Sequence, residues 1–267
     1  MRIVTAEQSR EMDRVAIEER KISSTDLMER AAAAVADEVM ALMGDTPGRV
    51  VCFCGPGNNG GDGDGCAPLL LEADFEVCCV LVGSHEKMTM DTRAMEAKLA
   101  AAGGKLEPFQ PDDGAFAAWC LECGAMVDAI FGTGLRRGVE GDALTAIHMM
   151  NTCDIPVVSA DIPSGVETDT GRVLGAAVEA ASTVTFTLPK VGHFVGKGGL
   201  HTGKLVVADI GIPEDLVNGA DCPVCSVGEG EVRFPRRPLD AHKGDFGKCY
   251  ILGGSVGYTG APVLAAQ

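Results

Sequence analysis

The sequence is poor in basic residues. Its 267 residues include 22 Lys and Arg against 38 Asp and Glu, which gives a formal charge of −16. So large a negative excess repels nucleic-acid phosphates and anionic lipid, and we therefore expect neither nucleic acid nor a membrane as a partner. A ligand that carries phosphates would have to be held by backbone N–H groups, helix N-termini and a few local basic side chains.

Long apolar runs are also missing. No stretch of 18 or more apolar residues occurs, because Glu72, Asp74 and Glu76 interrupt the best candidate, and this excludes a membrane-spanning helix. The first twenty residues carry acids and bases throughout and lack the apolar core of a secretory signal. We expect a soluble cytoplasmic protein.

Cysteine is comparatively abundant. There are eleven, an odd number, and several lie in apolar runs, which favours buried thiols over a disulfide framework. The pairs Cys120/Cys123 and Cys222/Cys225 have a spacing found in zinc sites. The two pairs are far apart in the chain, and Cys120 and Cys123 lie at helical spacing beside Trp119. We therefore favour packed thiols over a metal site.

The hydrophobic pattern predicts an α/β fold. Thr5 and Gln8 have the form of a capping box that starts a first helix, and apolar residues at every third or fourth position from Leu27 to Leu42 predict a second. Short apolar runs typical of buried parallel strands follow at 49–54, 76–82, 125–130, 155–160, 182–188 and 204–210, with helical patterns at 89–102, 113–123 and 142–149. This alternation predicts a doubly wound, mostly parallel sheet with helices on both faces.

A glycine-rich segment, GPGNNGGDGDG at 55–65, follows the first predicted strand. Open α/β sheets bind ligands at this place. We interpret the segment as a loop whose glycines let backbone N–H groups approach an anion; the alternative is a flexible surface loop. It is neither the Gly-x-Gly-x-x-Gly fingerprint nor a P-loop, and this argues against a nicotinamide-dependent dehydrogenase.

Two further strand ends carry polar residues. Asp128 lies in an apolar strand that leads into a second glycine turn bearing Arg136 and Arg137, which could supply local positive charge. Asp161 and Ser164 follow the next strand. A single aspartate there can be a helix cap or a turn residue. Three such ends open on the same edge of a parallel sheet, however, and together they predict a pocket.

Five ordered motifs resemble the NAD(P)H-hydrate epimerase family over residues 1–220. They are NNGGDG at 58–63, DAIFGTGLRRGVEG at 128–141, DIPSGVETDTG at 161–171, TVTFTLPKVGH at 183–193 and VVADIGIP at 206–213. The resemblance implies a Rossmann-like fold and interconversion of the R and S epimers of hydrated NADH and NADPH, in which water has added to the nicotinamide ring. The rival hypothesis is a non-catalytic nucleotide-binding or scaffold module.

The resemblance also implies site residues. Dinucleotide contacts carry over to Asn58, Asn59, Gly60, Gly61, Asp62, Gly132, Thr133, Gly134, Leu135, Arg136, Arg137, Gly138 and Asp161. A potassium ion would be bound by Asn59, Asp128 and Ser164, whose amide, carboxylate and hydroxyl oxygens suit a hard cation. For Asn59, a turn residue is the alternative.

For catalysis we single out Asp161 and Lys190. Epimerising a carbon that bears a hydroxyl beside a ring nitrogen requires proton movement while the bond to oxygen, or to the ring, is loosened. Our hypothesis makes Asp161 the general acid/base and Lys190 the group that polarises the ring amide or stabilises charge. A solvated Lys190 that merely ends its strand is the alternative.

Two positions depart from the family's pattern. Pro68 stands where the family has a basic residue, which predicts a helix that begins late or bends. Ala181 stands where an acid is common.

The residues from His242 onward resemble the opening of a second domain, the ribokinase-like NAD(P)H-hydrate dehydratase, which uses ADP or ATP. We expect an epimerase domain at 1–220, a linker at 221–241 and a truncated dehydratase start at 242–267, too short to form a core or to dehydrate the S epimer. The resemblance also implies a homodimer or a higher homo-oligomer.

Overall fold

The computed structural model describes residues 1–44, 47–219, 222, 224–227, 238–242, 244–245, 247–248, 250–258 and 260–266. The chain divides into two compact units, 1–226 and 227–267. In the described part of the second unit, one helix, α9, spans Gly260–Ala266. Much of the predicted linker at 221–241 lies outside the described residues, so the domain boundaries stay predictions.

The first helix begins at the predicted capping box. After β1 (Arg2–Ile3), α1 spans Ala6–Arg14 and continues into a π-helical segment, Val15–Glu19. The Thr5 hydroxyl accepts a hydrogen bond from the Gln8 N–H (3.2 Å), and the Gln8 side chain accepts one from the Thr5 N–H (2.8 Å). These reciprocal bonds satisfy two N–H groups that would otherwise lack partners.

A seven-stranded parallel sheet forms the centre of the first unit. Its strands are β2 (Arg49–Cys54), β3 (Glu76–Leu81), β4 (Leu106–Pro108), β5 (Ala125–Ala129), β6 (Val157–Ala160), β7 (Ser182–Phe186) and β8 (Lys204–Ala208). The spatial order is β4-β3-β2-β5-β6-β7-β8, so the order reverses between β2 and β5. Every strand of this sheet except β4 was predicted. The sequence of β4, Leu-Glu-Pro, is too short and polar to give the apolar run that is typical of a buried strand.

Helices cover both faces of the sheet, which confirms the doubly wound α/β prediction. They are α2 (Ser24–Met43), α3 (Asn58–Glu72) and α4 (Met90–Ala101) on one face, and α5 (Gly114–Cys120) and α6 (Gly141–Thr152) on the other. Strand β2 shows why both faces are buried: Val50 and Cys52 pack in the α2/α3 core, whereas Val51 and Phe53 pack in the other. No helix in the described ranges is long and apolar enough to cross a membrane.

Short elements complete the first unit. They are α7 (Gly198–His201), α8 (Glu214–Gly219) and β9 (Val224–Cys225). β9 pairs antiparallel with β1, Arg2 opposite Cys225 and Ile3 opposite Val224. This described part of the predicted linker is therefore a strand that pairs with the strand at the beginning of the chain.

The glycine-rich segment is largely helix, which corrects the prediction of a loop. A Cβ on Gly60 would lie 1.7 Å from the carbonyl oxygen of Gly55, and one on Gly63 would lie 2.6 Å from the Cβ of Ala129. The missing side chains thus let α3 pack directly on the sheet. Pro68 lies inside α3, which already begins at Asn58. Of the two expected effects of this proline, the late start is therefore wrong and the bend stays a prediction.

The Cys120/Cys123 pair lies in the core. Both thiols are free and pack among the apolar side chains beneath α5 and α6. Across the described residues, no group of three or more His, Cys, Asp or Glu side chains is placed to hold a metal ion.

Candidate active site

A cavity of about 700 Å³ opens at the carboxyl ends of β2 and β5. This is where the strand order reverses, the place at which open α/β sheets bind ligands. Residues 56–59 and Asp62 line it after β2, residues 130–137 after β5, and Asp161 after β6. Other elements supply wall residues that sequence reasoning did not find, namely α1, the π-helical segment, α2, the start of α4, the end of β7 and the loop after β8. These residues are Arg10, Asp13, Ile17, Ser24, Leu27, Met28, Ala31, Asp91, Phe186 and Ile210.

Most of the predicted dinucleotide-binding residues line this cavity: Asn58, Asn59, Asp62, Gly132, Thr133, Gly134, Leu135, Arg136, Arg137 and Asp161. The other three, Gly60, Gly61 and Gly138, do not line it, and their contact with a dinucleotide stays a prediction. Gly60 faces the backbone of Gly55, and Gly61 faces Met28 in α2. Gly138 is exposed and lies beyond the cavity-lining part of its turn.

The N-terminus of α3 is the feature suited to an anion. Its cap residue Gly57 has no side-chain cap, and Gly57, Asn58 and Asn59 all line the cavity. The first N–H groups of a helix and its dipole favour negative charge. Arg137 has no ion pair within the described ranges, whereas Arg136 donates to Glu167 (2.9 Å) and Asp169 (3.2 Å).

Asp161 lies at the cavity with a buried lysine behind it. The Lys190 ammonium is 2.6 Å from Asp161 Oδ1 and also donates to the Thr185 hydroxyl (2.9 Å) and the Phe186 carbonyl (3.1 Å). The Thr185 hydroxyl donates to Asp161 Oδ1 (3.2 Å). Lys190 is 1% exposed, so the alternative of a solvated lysine is wrong.

The charge of Lys190 determines the state of Asp161. Burial by itself raises the pKa of Asp161, but the lysine's charge and hydrogen bond outweigh burial, and the pKa falls below its usual value. Asp161 is therefore ionised at neutral pH. Lys190 does not line the cavity, so its direct partner is this carboxylate.

His193 fixes the backbone at Asp161, and sequence reasoning missed it although it ends the fourth motif. The Lys190 N–H donates to His193 Nδ1 (3.0 Å), so the proton lies on Nε2, which donates to the Asp161 carbonyl (2.9 Å). Burial lowers the pKa of His193 to about 4. The neutral ring helps hold Asp161 at a φ of 64°, a conformation that few non-glycine residues adopt.

Two of the predicted potassium ligands, Asp128 and Ser164, contact each other at a second buried carboxylate. Asp128 Oδ2 accepts hydrogen bonds from the Ser159 hydroxyl (2.7 Å) and the Ser164 N–H (2.8 Å), and Oδ1 accepts a longer one from the Ile130 N–H (3.4 Å). Asp128 has no ion pair among the described residues, and burial raises its pKa. Asn59 lies against Gly132, and its Nδ2 is buried without a hydrogen-bond partner in the described part of the chain.

Two more carboxyl groups line the cavity. Burial raises the pKa of Asp13 to about 6, with Lys190 opposing this shift and the charge of Asp161 adding to it. Burial, followed by the charges of Asp161 and Asp13, raises the pKa of Asp62 well above its usual range. The surroundings therefore raise the pKa values of Asp13 and Asp62 and lower that of Asp161.

The fold and the site together define a doubly wound α/β protein with a carboxylate-rich ligand cavity at its switch point. Residues 24–192 match the family model described as YjeF-related protein N-terminus. The chain belongs to this family. The expected resemblance is thereby confirmed.

Individual relatives agree. The chain is 39% identical over 276 residues to a bifunctional NAD(P)H-hydrate repair enzyme of Moorella thermoacetica, covering 100% of this chain and 51% of that protein. It is 38% identical over 208 residues to an NAD(P)H-hydrate epimerase of Limosilactobacillus reuteri, covering 78% and 95%. The chain thus spans about half the length of the bifunctional relative.

A solved structure has the same fold. The crystal structure of the yeast protein ynu0 superposes with a TM-score of 0.71 and 24% identity, covering 86% of this chain and 98% of that one. At this identity the likeness supports the architecture.

Proposed function

We propose that the first unit interconverts the R and S epimers of hydrated NADH and NADPH. The observation that carries the proposal is Asp161 at the wall of a cavity of about 700 Å³, kept ionised by the buried Lys190. A carboxylate that is ionised at neutral pH and lies at a ligand cavity is available to accept a proton. The relative from Limosilactobacillus reuteri, named for this epimerase activity, supports the assignment.

In this proposal the residues of the cavity have different tasks. The N-terminus of α3 and Arg137 bind the phosphates of the dinucleotide, which suits a protein whose overall charge is negative. The hydrated nicotinamide ring lies against Asp161. Lys190 acts through Asp161, by keeping it charged and in place, and does not contact the ring.

We propose potassium binding at Asn59, Asp128 and Ser164. The buried Asp128 carboxylate lacks a cation among the described residues, and its Oδ1 has spare acceptor capacity. Turning the Asn59 amide over would place its oxygen where Nδ2 now lacks a partner. This donor set fits a hard monovalent cation, which would neutralise Asp128 and brace the turns after β2, β5 and β6.

For the rest of the chain we keep the predicted division: the epimerase domain at 1–220, the linker at 221–241 and the beginning of an ADP/ATP-dependent dehydratase domain from 242. Its support is the match to bifunctional repair enzymes over 100% of this chain. Dehydration of the S epimer belongs to the bifunctional protein in this proposal.

The proposed function is tested by incubating the chain with R-hydrated NADH and separating the epimers by chromatography. We expect S epimer to form without net oxidation, and Asp161→Asn to abolish conversion while dinucleotide binding, measured by calorimetry, is retained. A nucleotide-binding module without catalysis would bind the ligand and leave the epimer ratio unchanged. A dehydrogenase would change the absorbance of the nicotinamide.

A further inference from the structure

We propose that Asp13, on α1, is the general acid of the reaction and that Asp161 is its base. This inference rests on the proposed function and adds the second proton carrier. Asp13 lies before residue 24, where the match to the family model begins.

The position of Asp13 is the first argument. It is half-buried in the cavity wall and comes from α1, whereas Asp161 follows β6. Its carboxyl group makes no hydrogen bond or ion pair within the described residues, in contrast to Asp161. A carboxyl group that faces a ligand cavity without a structural partner is available to a ligand.

The surrounding charges are the second argument. Lys190 and Asp161 act on Asp13 from the end of the sheet, Asp62 faces it from α3, and Arg10 lines the same cavity from α1 itself. Burial is the main effect and disfavours the charged form of Asp13; the charge of Lys190 opposes it, and the charge of Asp161 adds a smaller effect in the direction of burial. The net result is a pKa of about 6 for Asp13. Two carboxyl groups with oppositely shifted pKa values form an acid/base pair.

The chemistry follows from these states. Protonated Asp13 gives its proton to the ring hydroxyl, the C–O bond breaks with its electron pair on oxygen, and water leaves. The lone pair of the ring nitrogen forms a C=N bond, and the resulting cation is stabilised by the carboxylates around it. Water then adds to the opposite face of the carbon, forming a new C–O bond, while Asp161 accepts its proton. Proton exchange through solvent resets the pair, and no oxidant or reductant is needed.

Asp62 is the competing candidate for the acid. Burial raises its pKa well above its usual range, and its side chain is buried, whereas that of Asp13 is half-buried at the cavity. It also lies in the first turns of α3, among the residues that bind the dinucleotide in our proposal. We therefore assign to Asp62 a neutral hydrogen bond to the ligand, and to Asp13 the proton transfer.

The experiment compares wild type, Asp13→Asn and a matched control, Glu18→Gln. Glu18 is an exposed carboxylate in the π-helical segment and does not line the cavity. We expect Asp13→Asn to lower kcat for epimerisation at least about 100-fold with KM changed less than about threefold. Glu18→Gln keeps the wild-type kcat.

The wild-type pH profile and an isotope label test the idea without any variant, and the pH profile of Asp13→Asn adds a comparison. Wild-type kcat falls as the pH rises through the pKa of the acid, and Asp13→Asn lacks this decline. A hydrate labelled with oxygen-18 at the ring hydroxyl loses its label to water as it epimerises.

A wild type that epimerises while Asp13→Asn keeps its kcat would overturn this assignment alone. So would retention of the label, or a wild-type profile that is flat between pH 5 and 8. A wild type that binds the hydrate but never epimerises it would overturn the proposed function and this inference together.

Discussion

Asp128 and Asp161 are buried aspartates that belong to neighbouring strands, yet their charges are balanced in different ways. Asp161, just after β6, has Lys190 2.6 Å away, and the net shift of its pKa is downward. Asp128, in β5, has only hydrogen bonds from serine and backbone groups, and burial raises its pKa. Asp161 is thus paired with a cation that the chain itself supplies, whereas Asp128 has no such partner among the described residues. In our proposal this difference makes Asp161 the base and leaves Asp128 to an exchangeable cation.

The largest effect is expected when Lys190, the cation that balances the charge of Asp161, is removed. We expect Lys190→Met to lower the free energy of unfolding at pH 7 by about 3–5 kcal/mol, because the Asp161 charge is then buried without a partner. The double variant Lys190→Met/Asp161→Asn should recover most of this loss. Urea unfolding monitored by circular dichroism measures all three proteins.

The sign of the pH effect follows from the lowered pKa of Asp161. Its ion pair stabilises the fold above pH 3.8, the unfolded value, and this contribution disappears as the pH falls through the folded value. The difference in the free energy of unfolding between wild type and Lys190→Met should therefore become smaller in acid. Lys204→Met is the control, because Lys204 pairs with Glu38 through a side chain that is 66% exposed. An equal loss in the control would contradict the special role of Lys190.

Asp13 is a third case beside Asp161 and Asp128. Its carboxyl group has neither an ion pair nor a hydrogen bond in the described part of the chain. Its pKa is raised from 3.8 to about 6, so ionisation costs stability only as the pH rises through this window. We expect Asp13→Asn to be more stable than wild type at pH 8 by at most about 3 kcal/mol, with no difference below pH 3.8. Thermal unfolding of wild type and Asp13→Asn at pH 8 and below pH 3.8 measures this difference. A lower stability of Asp13→Asn at pH 8 would contradict the raised pKa of Asp13.

Potassium gives the smallest expected effect. For a Kd of about 20 mM, replacing 100 mM choline with 100 mM potassium should stabilise the wild type by about 1 kcal/mol, seen as a rise in Tm. Asp128→Asn should respond equally to both cations, because the proposed site has lost its charge. The Asp161→Asn variant should keep the potassium response; if it loses the response as well, the cation acts elsewhere.

Local sequence pattern predicted much of the fold. Apolar runs revealed the strands from β2 to β8 except β4, and the Thr5/Gln8 capping box revealed the start of α1, because these features depend on neighbouring residues. The helical state of residues 58–65 could not be read in this way. Glycines lower helix propensity, and only close packing of α3 on the sheet and on α2 reverses that preference.

The site was predictable where its residues follow strands and not where they lie on helices. Asp128 and Asp161 stand out because a carboxylate at the end of an apolar strand is unusual. Arg10 and Asp13 look like ordinary charged residues of an amphipathic helix, and only the tertiary fold brings α1 to the cavity. The burial of Lys190 likewise depends on partners that no local pattern shows.

The glycines of α3 have a consequence for folding. With glycine at 60, 61, 63 and 65 and a proline at 68, this segment would be disordered as an isolated peptide, since each of these residues disfavours helix. The N–H groups proposed to hold the dinucleotide phosphates therefore acquire their orientation only when the whole domain is assembled. Amides of the first turns of α3 should accordingly exchange their hydrogens through global unfolding, and a bound dinucleotide would act as a thermodynamic reporter of the complete fold.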